Sequence, residues 1–517
     1  MSNASALFRS LIVYGLCLPL AVSLGYLLAN PLDLTTVAVV GIILTVLLIP
    51  LFLRWHHVWL IAAWNTTAVI FFLPGRPAVW QALAAISFCI GVLQYTINRN
   101  NRFLHAPSVA RPLVFLAAVV LITARLTGGI GVRALGSTVY GGRNYVGVLV
   151  AVIGYFAFTS RQVPPKRAKL YVTLFFLATA TFAIGELPRV LPSGFNFLFL
   201  VFPVMMGGPL TDESSAVAGP AYALTRVTGL SSLGLGVFYT LLVRYGIRGI
   251  FLEPGSLWRL VVFAASVVVG LMGGFRSALI LMFMTFAILF YLERMHHTRL
   301  LPLFMIATLL VGALTIAFAN RLPFSIQRSM AFLPLDLDPL AKLSAQTSTV
   351  WRLEVWRRVL PQVPQYLILG KGYGFSGREM DMIQDDSRGT ASEDVVELVG
   401  DYHNGPLSVL IPFGMFGMIG LLWFFWASLR VLYQNYQFGD PAYHTMNVFL
   451  FAYFFVKVIF FFAVFGSLAS DLMTFTGLVG LSVSLNGGVA KPVVVPQPKI
   501  VFNRFRLHPS AQRPVGV

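Results

Sequence analysis

Long apolar stretches, separated by short polar segments, repeat along the whole chain. Each stretch has about the 20 residues that an α-helix needs to cross the hydrocarbon core of a bilayer. We predict fourteen spans, with twelve as the lower bound, near residues 10–29, 35–53, 58–74, 79–97, 112–127, 144–160, 169–187, 229–245, 257–273, 275–292, 300–319, 405–430, 445–466 and 469–487. The pattern therefore predicts an all-α polytopic membrane protein. The first run lacks a convincing small-residue cleavage site, so we expect it to be a retained helix.

Composition supports this class. The 517 residues are 57% hydrophobic and 11% charged, with a mean hydropathy of +0.79, whereas a soluble domain carries about 25% charged residues. The two cysteines, Cys17 and Cys89, both lie in apolar stretches, so no disulfide framework is predicted.

The distribution of Lys and Arg predicts the topology. Basic residues concentrate in the segments 98–102, 161–169, 244–248, 293–299 and 491–506. With fourteen spans and a cytoplasmic N-terminus, all of these segments lie on the cytoplasmic side, as the positive-inside rule requires. The net charge of +18 then reflects topology and attraction to anionic lipid. Because the basic residues are scattered between spans, the charge does not predict a nucleic-acid partner.

Two long segments, 188–228 and 320–404, lie on the opposite, external side. The second holds 11 of the 19 acidic residues, and connections of this length are usually functional. Within it, residues 348–364 predict an amphipathic helix at the membrane interface, or else a helix with a solvated basic face. Asp336 and Asp338 form an acidic pair without further ligand types, so neither a metal site nor a cofactor is predicted.

The candidate chemistry lies on that external side. His403 and Asn404, in "DYHN", stand at the start of the twelfth span. A histidine can exchange a proton near neutral pH, although a lone histidine at such a position is more often an interfacial polar residue.

Three arginines accompany this histidine. Arg226 and Arg276 lie at external span ends, where the positive-inside rule gives no reason for them, and Arg352 lies in the predicted interfacial helix. Each alone fits a structural ion pair as well as a ligand role. Because guanidinium groups bind phosphate oxygens in pairs, several of them on one face with a histidine predict an anionic diphosphate substrate.

A further charged pair lies within the predicted spans. Lys457 is deep in the thirteenth span and Asp471 is near the external start of the fourteenth. They form either a structural ion pair or part of a proton or substrate path.

Four sequence segments occur in an order that resembles the O-antigen ligase and O-antigen polymerase superfamily. They are "RVTGL" (226–230), "GGFRSALILM" (273–282), "WRLEVWRRVLPQVPQYLILGKGYGF" (351–375) and "DYHNGPLSVLIPFGMFGMIGLLWFF" (401–425). The resemblance covers roughly residues 220–430. Members of this superfamily usually follow His-Asn with Ser, Thr or Ile and then Tyr or Phe, whereas this chain has Gly405-Pro406.

The resemblance also divides the chain. It implies N-terminal transmembrane helices over 1–187, a ligase-like core over 188–430 that includes the external loop 320–404, C-terminal transmembrane helices over 431–487 and a basic cytoplasmic tail over 488–517.

The function that the resemblance implies is glycan transfer by a GT-C-like, metal-independent, inverting glycosyltransferase. It would lie in the bacterial inner membrane with its active site on the periplasmic face. The donor would be a glycan on undecaprenyl diphosphate, and the acceptor either lipid A core, for a ligase, or a second lipid-linked glycan, for a polymerase. His403, Arg276 and Arg226 would be catalytic, and Arg352, Asn404 and Asp401 would bind substrate. The choice between ligase and polymerase stays open.

A transporter of polysaccharide or lipid is the alternative. Fourteen spans suit it equally, but a transporter typically shows inverted repeats and helices broken near the membrane midplane. The sequence shows neither convincingly.

Overall fold

The computed structural model describes most of the chain. The described residues are 34–73, 75–98, 103–131, 137, 139–203, 226–298, 301–379, 381 and 397–492, with several helical residues between 14 and 25. Much of the first predicted span, most of the polar segment 381–394 and the tail from residue 493 lie outside this description. Within it the chain is helical, with isolated bridges only between Val69 and Ala78 and between Tyr140 and Phe375.

Seventeen α-helices are described in this part of the chain. They are α1 Leu34–Ala63, α2 Val79–Ile97, α3 Pro107–Leu126, α4 Gly142–Thr159, α5 Ala168–Leu177, α6 Thr181–Glu186, α7 Leu198–Val201, α8 Thr228–Phe251, α9 Leu257–Met272, α10 Arg276–Leu292, α11 Leu301–Phe318, α12 Phe324–Ser329, α13 Pro339–Val359, α14 Val363–Tyr366, α15 Leu407–Phe438, α16 His444–Ala463 and α17 Leu468–Leu485. Short 3-10 turns extend several of them.

The helices confirm a polytopic membrane protein. Nine helical stretches among the described residues are long and apolar enough to cross a bilayer, and α9 and α10 are shorter apolar helices of 16 and 17 residues. The GT-C-like architecture and the external position of the loop stay predictions.

The separation of residues 35–53 and 58–74 into two spans was wrong. They predicted a loop near Arg54 and His56, but α1 continues from Leu34 to Ala63. His56 and His57 are buried, with the Nδ1 of His56 2.7 Å from Ser87 Oγ and the Nε2 of His57 3.0 Å from the Phe158 carbonyl oxygen. Because one ring nitrogen of each imidazole has a hydrogen-bond partner on a neighbouring helix, these polar residues do not end the helix. The number of crossings, and with it the cytoplasmic N-terminus, stays a prediction.

Small residues bring α8 and α9 close together. Gly234 of α8 lies against the backbone of Gly270 in α9, and a Cβ at Gly234 would overlap it. This close approach places the start of α8 beside the tight turn between α9 and α10, where Gly274 has a φ of +77°. The segment before α8 and the first residue of α10 therefore meet at one end of the bundle.

Helix α15 is broken near its start, and a loop fills the break. Gly414 has a φ of 61°, and Pro412 lacks the N–H that would continue the helix. The Lys371 N–H donates to the Ile411 carbonyl (2.7 Å) and the Gly372 N–H to that of Pro412 (2.9 Å). The glycine-rich segment 369–377 therefore acts as a turn that satisfies the backbone groups freed by the break.

The helix predicted over 348–364 is present, but it begins earlier than expected. Its position at the membrane interface stays a prediction. Helix α13 starts at Pro339, nine residues before the Ser348 cap expected from the sequence. Asp338 caps it by accepting the Leu340 N–H at 2.8 Å, and proline is well suited to the first helical position. Asp338 is therefore a helix cap.

A labelling experiment tests the topology. The basic-loop pattern predicts that α13 is external and that the tail from Lys491 is cytoplasmic. In a protein with Cys17 and Cys89 changed to serine, a cysteine at the exposed Arg357 should react with a membrane-impermeant maleimide in intact spheroplasts. A cysteine at Lys491 should react only after permeabilisation. The reverse pattern would contradict the external assignment of the whole site.

Candidate functional site

The turn between α9 and α10 brings the first two arginines together. The Val227 N–H donates to the Gly273 carbonyl at 3.1 Å, which fixes Arg226 next to the turn. The Arg226 guanidinium lies over the Phe275 ring, 6.0 Å from its centroid. Since Arg276 follows Phe275 directly, two arginines 50 positions apart in the chain share one end of the bundle.

Helix α13 lies across this pair. Arg226 Nη2 donates to Ser348 Oγ at 3.3 Å, and both terminal nitrogens of Arg276 donate to Thr349 Oγ1 at 3.2 Å. Arg352 follows one helical turn later on the same helix, so its side chain lies near the same face. The three arginines predicted from the sequence therefore converge.

A fourth arginine, which the sequence analysis missed, joins them from α12. Arg328 is 5% exposed, and it interacts electrostatically with Arg226 and Arg276. The segment 320–404 contains nine basic residues, and sequence alone offered no signal to single out this one. We call Arg226, Arg276, Arg328 and Arg352 the arginine cluster.

The cluster is strongly positive and partly buried: Arg328 is buried, whereas Arg226, Arg276 and Arg352 are half-buried. Burial lowers the pKa of Arg328 to about 9, and the charges of Arg226 and Arg276 add to the effect. Burial, followed by the charges of Arg352 and Arg276, lowers the pKa of Arg226 to about 10. None of the cluster forms an ion pair with a carboxylate in the described ranges. Like charges gathered away from water are unfavourable unless an anion balances them.

His403 lies beside the cluster, at the N-terminal end of α15. Its backbone is in the left-handed region, with a φ of 51°, which is uncommon for a non-glycine residue and often marks a functional position. Nδ1 lies 3.0 Å from the Asp401 carbonyl oxygen and 3.3 Å from Asp401 Oδ1. A proton on Nδ1 is donated there, which leaves the lone pair on Nε2. This arrangement can orient a general base.

The carboxylate of Asp401 is tuned by its surroundings. Burial alone would raise its pKa, but the hydrogen bond and charge of His403, together with a hydrogen bond from Ser467, lower it below its ordinary value. Asp401 therefore stays ionised behind the imidazole, which stabilises the charge that His403 acquires when it accepts a proton.

Aromatic rings hold the imidazole between α13 and the α16–α17 turn. Trp351 and Phe465 both pack edge-on against His403, at centroid distances of 5.2 and 4.9 Å. Arg352 lies over the same Phe465 ring at 5.8 Å. Phe465 therefore contacts both the histidine and one member of the arginine cluster.

The unusual Gly405-Pro406 pair has a packing explanation. A Cβ at position 405 would overlap the carbonyl oxygen of Phe461, because the end of α16 packs directly on this segment. Asn404 caps α15, with its Oδ1 accepting the Leu407 N–H at 3.1 Å. The substrate-binding role expected for Asn404 stays a prediction.

The charged pair within the spans supports the same region. Lys457 Nζ lies 2.9 Å from Asp471 Oδ1, and Asp471 Oδ2 accepts the Ser467 N–H at 3.0 Å. Ser467 is the N-cap of α17 and lies two residues after Phe465. Lys457 and Asp471 therefore form the ion pair that one of the two interpretations predicted. This ion pair fixes the turn that contains Phe465.

An apolar groove of about 520 Å³ lies next to the histidine segment. Its walls come from the end of α13, α14 and the start of α15, and its lining includes Trp356, Leu360, Val363, Asn404, Leu407 and Leu410. The Trp356 Nε1–H donates to the Tyr402 carbonyl at 2.9 Å, which ties the groove to the segment containing His403. Its composition suits a hydrocarbon chain.

The chemistry of the described side chains is that of an anion site with a base. Within the described part of the chain, no three His, Cys, Asp or Glu side chains gather as metal ligands would. The groups that do gather are guanidinium, imidazole and aromatic.

A known family model matches part of the chain. Residues 260–422 match the O-Antigen ligase family model. The matched region contains Arg276, Arg328, Arg352 and the histidine segment, whereas Arg226 precedes it. No curated protein matches the chain. The resemblance found in the sequence is thus confirmed, and it indicates an O-antigen ligase-type membrane enzyme.

Proposed function

We propose that the protein is an integral-membrane glycosyltransferase of the O-antigen ligase type, acting on the periplasmic face of the inner membrane. It would transfer a glycan from undecaprenyl diphosphate to an acceptor hydroxyl. The observation that carries the proposal is the convergence of four arginines, without a carboxylate partner in the described ranges, beside a histidine oriented by Asp401.

The reaction assigns a role to each group. The acceptor oxygen attacks the anomeric carbon of the donor sugar, its proton passes to His403 Nε2, and the bond between that carbon and the diphosphate oxygen breaks. A single displacement inverts the anomeric configuration. Negative charge grows on the diphosphate as it leaves, and Arg226, Arg276 and Arg352 stabilise it. Asp401 stabilises the imidazolium that forms.

The apolar groove supports a lipid-linked donor. A polyprenyl chain is a hydrocarbon, and burying it in a groove lined by Trp, Leu, Val and Pro side chains is favourable. The groove reaches Asn404, the residue next to His403. A donor whose chain lies there would present its diphosphate near the base.

One feature of the structure is typical of transporters, but its hydrogen bonding argues against a transporter. Helix α15 is broken, as transporter helices often are. However, the segment at Lys371 and Gly372 donates to the freed carbonyls, so protein backbone, rather than a substrate or ion, satisfies this break. The site with distinctive chemistry lies at the helix end instead.

Acceptor identity separates a ligase from a polymerase. Both release the same lipid diphosphate, so the proposal covers either, and we take the ligase reaction on lipid A core as the first case. Deletion of the gene would leave long glycans off the surface lipid if the protein is a ligase. It would leave single repeat units attached if the protein is a polymerase.

The decisive assay uses purified protein in nanodiscs with a radiolabelled undecaprenyl-diphosphate-linked glycan. We expect transfer of label to the acceptor and equal release of undecaprenyl diphosphate. In the contrary outcome, the donor stays intact with both acceptor types while lipid-linked glycan crosses the membrane of sealed proteoliposomes. That result would contradict the enzyme and support the transporter.

Chelation tests whether the arginines alone balance the diphosphate. Because guanidinium groups supply the counter-charge in this proposal, transfer in the nanodisc assay should keep its rate in millimolar EDTA. Loss of activity with EDTA and recovery with magnesium or manganese would contradict metal independence. A glycosyltransferase known to need manganese serves as the control for complete chelation.

A further inference from the structure

Arg328 differs from its neighbours in how its polar atoms are satisfied. Gln327, Arg328 and Ser329 are all buried. The Gln327 amide donates to two backbone carbonyls at 3.2 and 2.8 Å, and the Ser329 hydroxyl donates to the Leu271 carbonyl at 3.0 Å. In contrast, Nε and Nη1 of Arg328 are buried without a hydrogen-bond partner. Hydrogen bonds therefore hold this helix in place, while its one charged side chain, Arg328, has two nitrogens without a hydrogen-bond partner.

The position is also unfavourable in charge. The positive charges of Arg226 and Arg276 repel that of Arg328, and no carboxylate in the described ranges pairs with it. The chain does neutralise another buried cation, Lys457, with Asp471 at 2.9 Å. A buried cation without a partner among the described residues is costly, and such charges are usually either paired or functional.

We propose that Arg328 is a diphosphate-binding residue, whose unpartnered nitrogens bind phosphate oxygens of the lipid-linked donor and of the lipid diphosphate that is released. This inference rests on the proposed function and extends it to a residue that neither the sequence nor the family match singled out. A diphosphate carries two phosphate groups, and planar forks bind phosphate oxygens in pairs. Four arginines match that demand better than two.

The proposal makes an unusual prediction about stability. Removal of a buried arginine that stabilises the fold should lower the stability of the protein. A buried arginine that waits for an anion should behave in the opposite way, because its removal relieves repulsion and desolvation. Arg328→Met, which keeps an unbranched apolar side chain but removes the charged fork, should therefore unfold at the same temperature as wild type or higher when no anion is present.

Inorganic pyrophosphate is the probe for the anion site. Titration of nanodisc-embedded wild type should raise its unfolding temperature, because a ligand that binds the folded state stabilises it. We expect Arg328→Met to weaken pyrophosphate binding about 10- to 100-fold, the effect of losing hydrogen bonds to a charged group. Arg328→Lys keeps the charge without the fork and should weaken binding several-fold. Arg321→Met is the matched control, since Arg321 is exposed near the same helix, and its affinity should equal that of wild type.

The outcomes separate this inference from the proposed function. If Arg276→Lys weakens pyrophosphate binding but both Arg328 variants bind like wild type, the inference about Arg328 is wrong and the proposed function stands. Destabilised Arg328 variants with unchanged pyrophosphate affinity would identify a structural ion pair instead, for example with a carboxylate of the segment 381–394. Wild type that neither binds pyrophosphate nor releases lipid diphosphate from the donor would overturn the proposed function, and this inference with it.

Discussion

Replacement of His403 by alanine should lower glycan transfer by about 10²- to 10⁴-fold, the range that general-base catalysis contributes. Donor binding should change little, because the arginine cluster still holds the diphosphate. The measurement is turnover in the nanodisc assay at saturating donor.

The left-handed backbone at His403 calls for a second variant. Alanine tolerates a φ of 51° poorly, whereas asparagine adopts that region more readily and cannot act as a base. His403→Asn should therefore be as inactive as His403→Ala. His297→Ala, an exposed histidine at the opposite end of α10, should retain full activity. Transfer at the wild-type rate by His403→Ala would make this histidine an interfacial residue and direct the search for a base to Asp401.

Replacement of Arg276 by lysine should reduce transfer by about 10²- to 10³-fold, the effect of losing one donor to a developing oxyanion. The charge is kept, but lysine cannot present two parallel N–H groups, so the change is not conservative at a phosphate site. Both terminal nitrogens of Arg276 now lie 3.2 Å from Thr349 Oγ1, which aligns the fork. The rate should be measured with the amount of membrane-inserted protein held equal.

The matched control for Arg276→Lys is Arg357→Lys. The Arg357 side chain is 81% exposed and pairs loosely with Glu354 at 3.8 Å, so it changes an arginine on the same side without touching the cluster. It should keep wild-type activity. Equal activity in Arg276→Lys would show that this guanidinium serves only as a hydrogen-bond donor to α13.

Sequence pattern determined the class of the protein because the membrane imposes strong local rules. Apolar runs such as 79–97 and 469–487 predict helices directly, since backbone groups in lipid must be satisfied within the segment. Arg226, Arg276 and His403 stood out for a related reason, because charged and polar groups next to hydrocarbon are rarely placed without a partner or a task.

Other features depended on partners far away in the chain, and only the tertiary structure decided them. Helix α1 continues past His56 and His57 because Ser87 and Phe158 receive their imidazoles. The loop at Lys371 donates hydrogen bonds to the carbonyl groups freed by the break of α15. Neither relation has a local pattern, because the partner lies at least 31 positions away in these cases.

The candidate site depended partly on the sequence pattern and partly on the tertiary structure. Its residue types and its side of the bundle followed from position relative to the spans, which the sequence reveals. That Arg328 joins the cluster, and that Asp401 stands behind the imidazole, followed only from how α12, α13 and α15 pack. Burial and mutual orientation are properties of the packed helices, so a basic residue in a long loop gains its meaning only when the fold removes it from water and places it beside other charges.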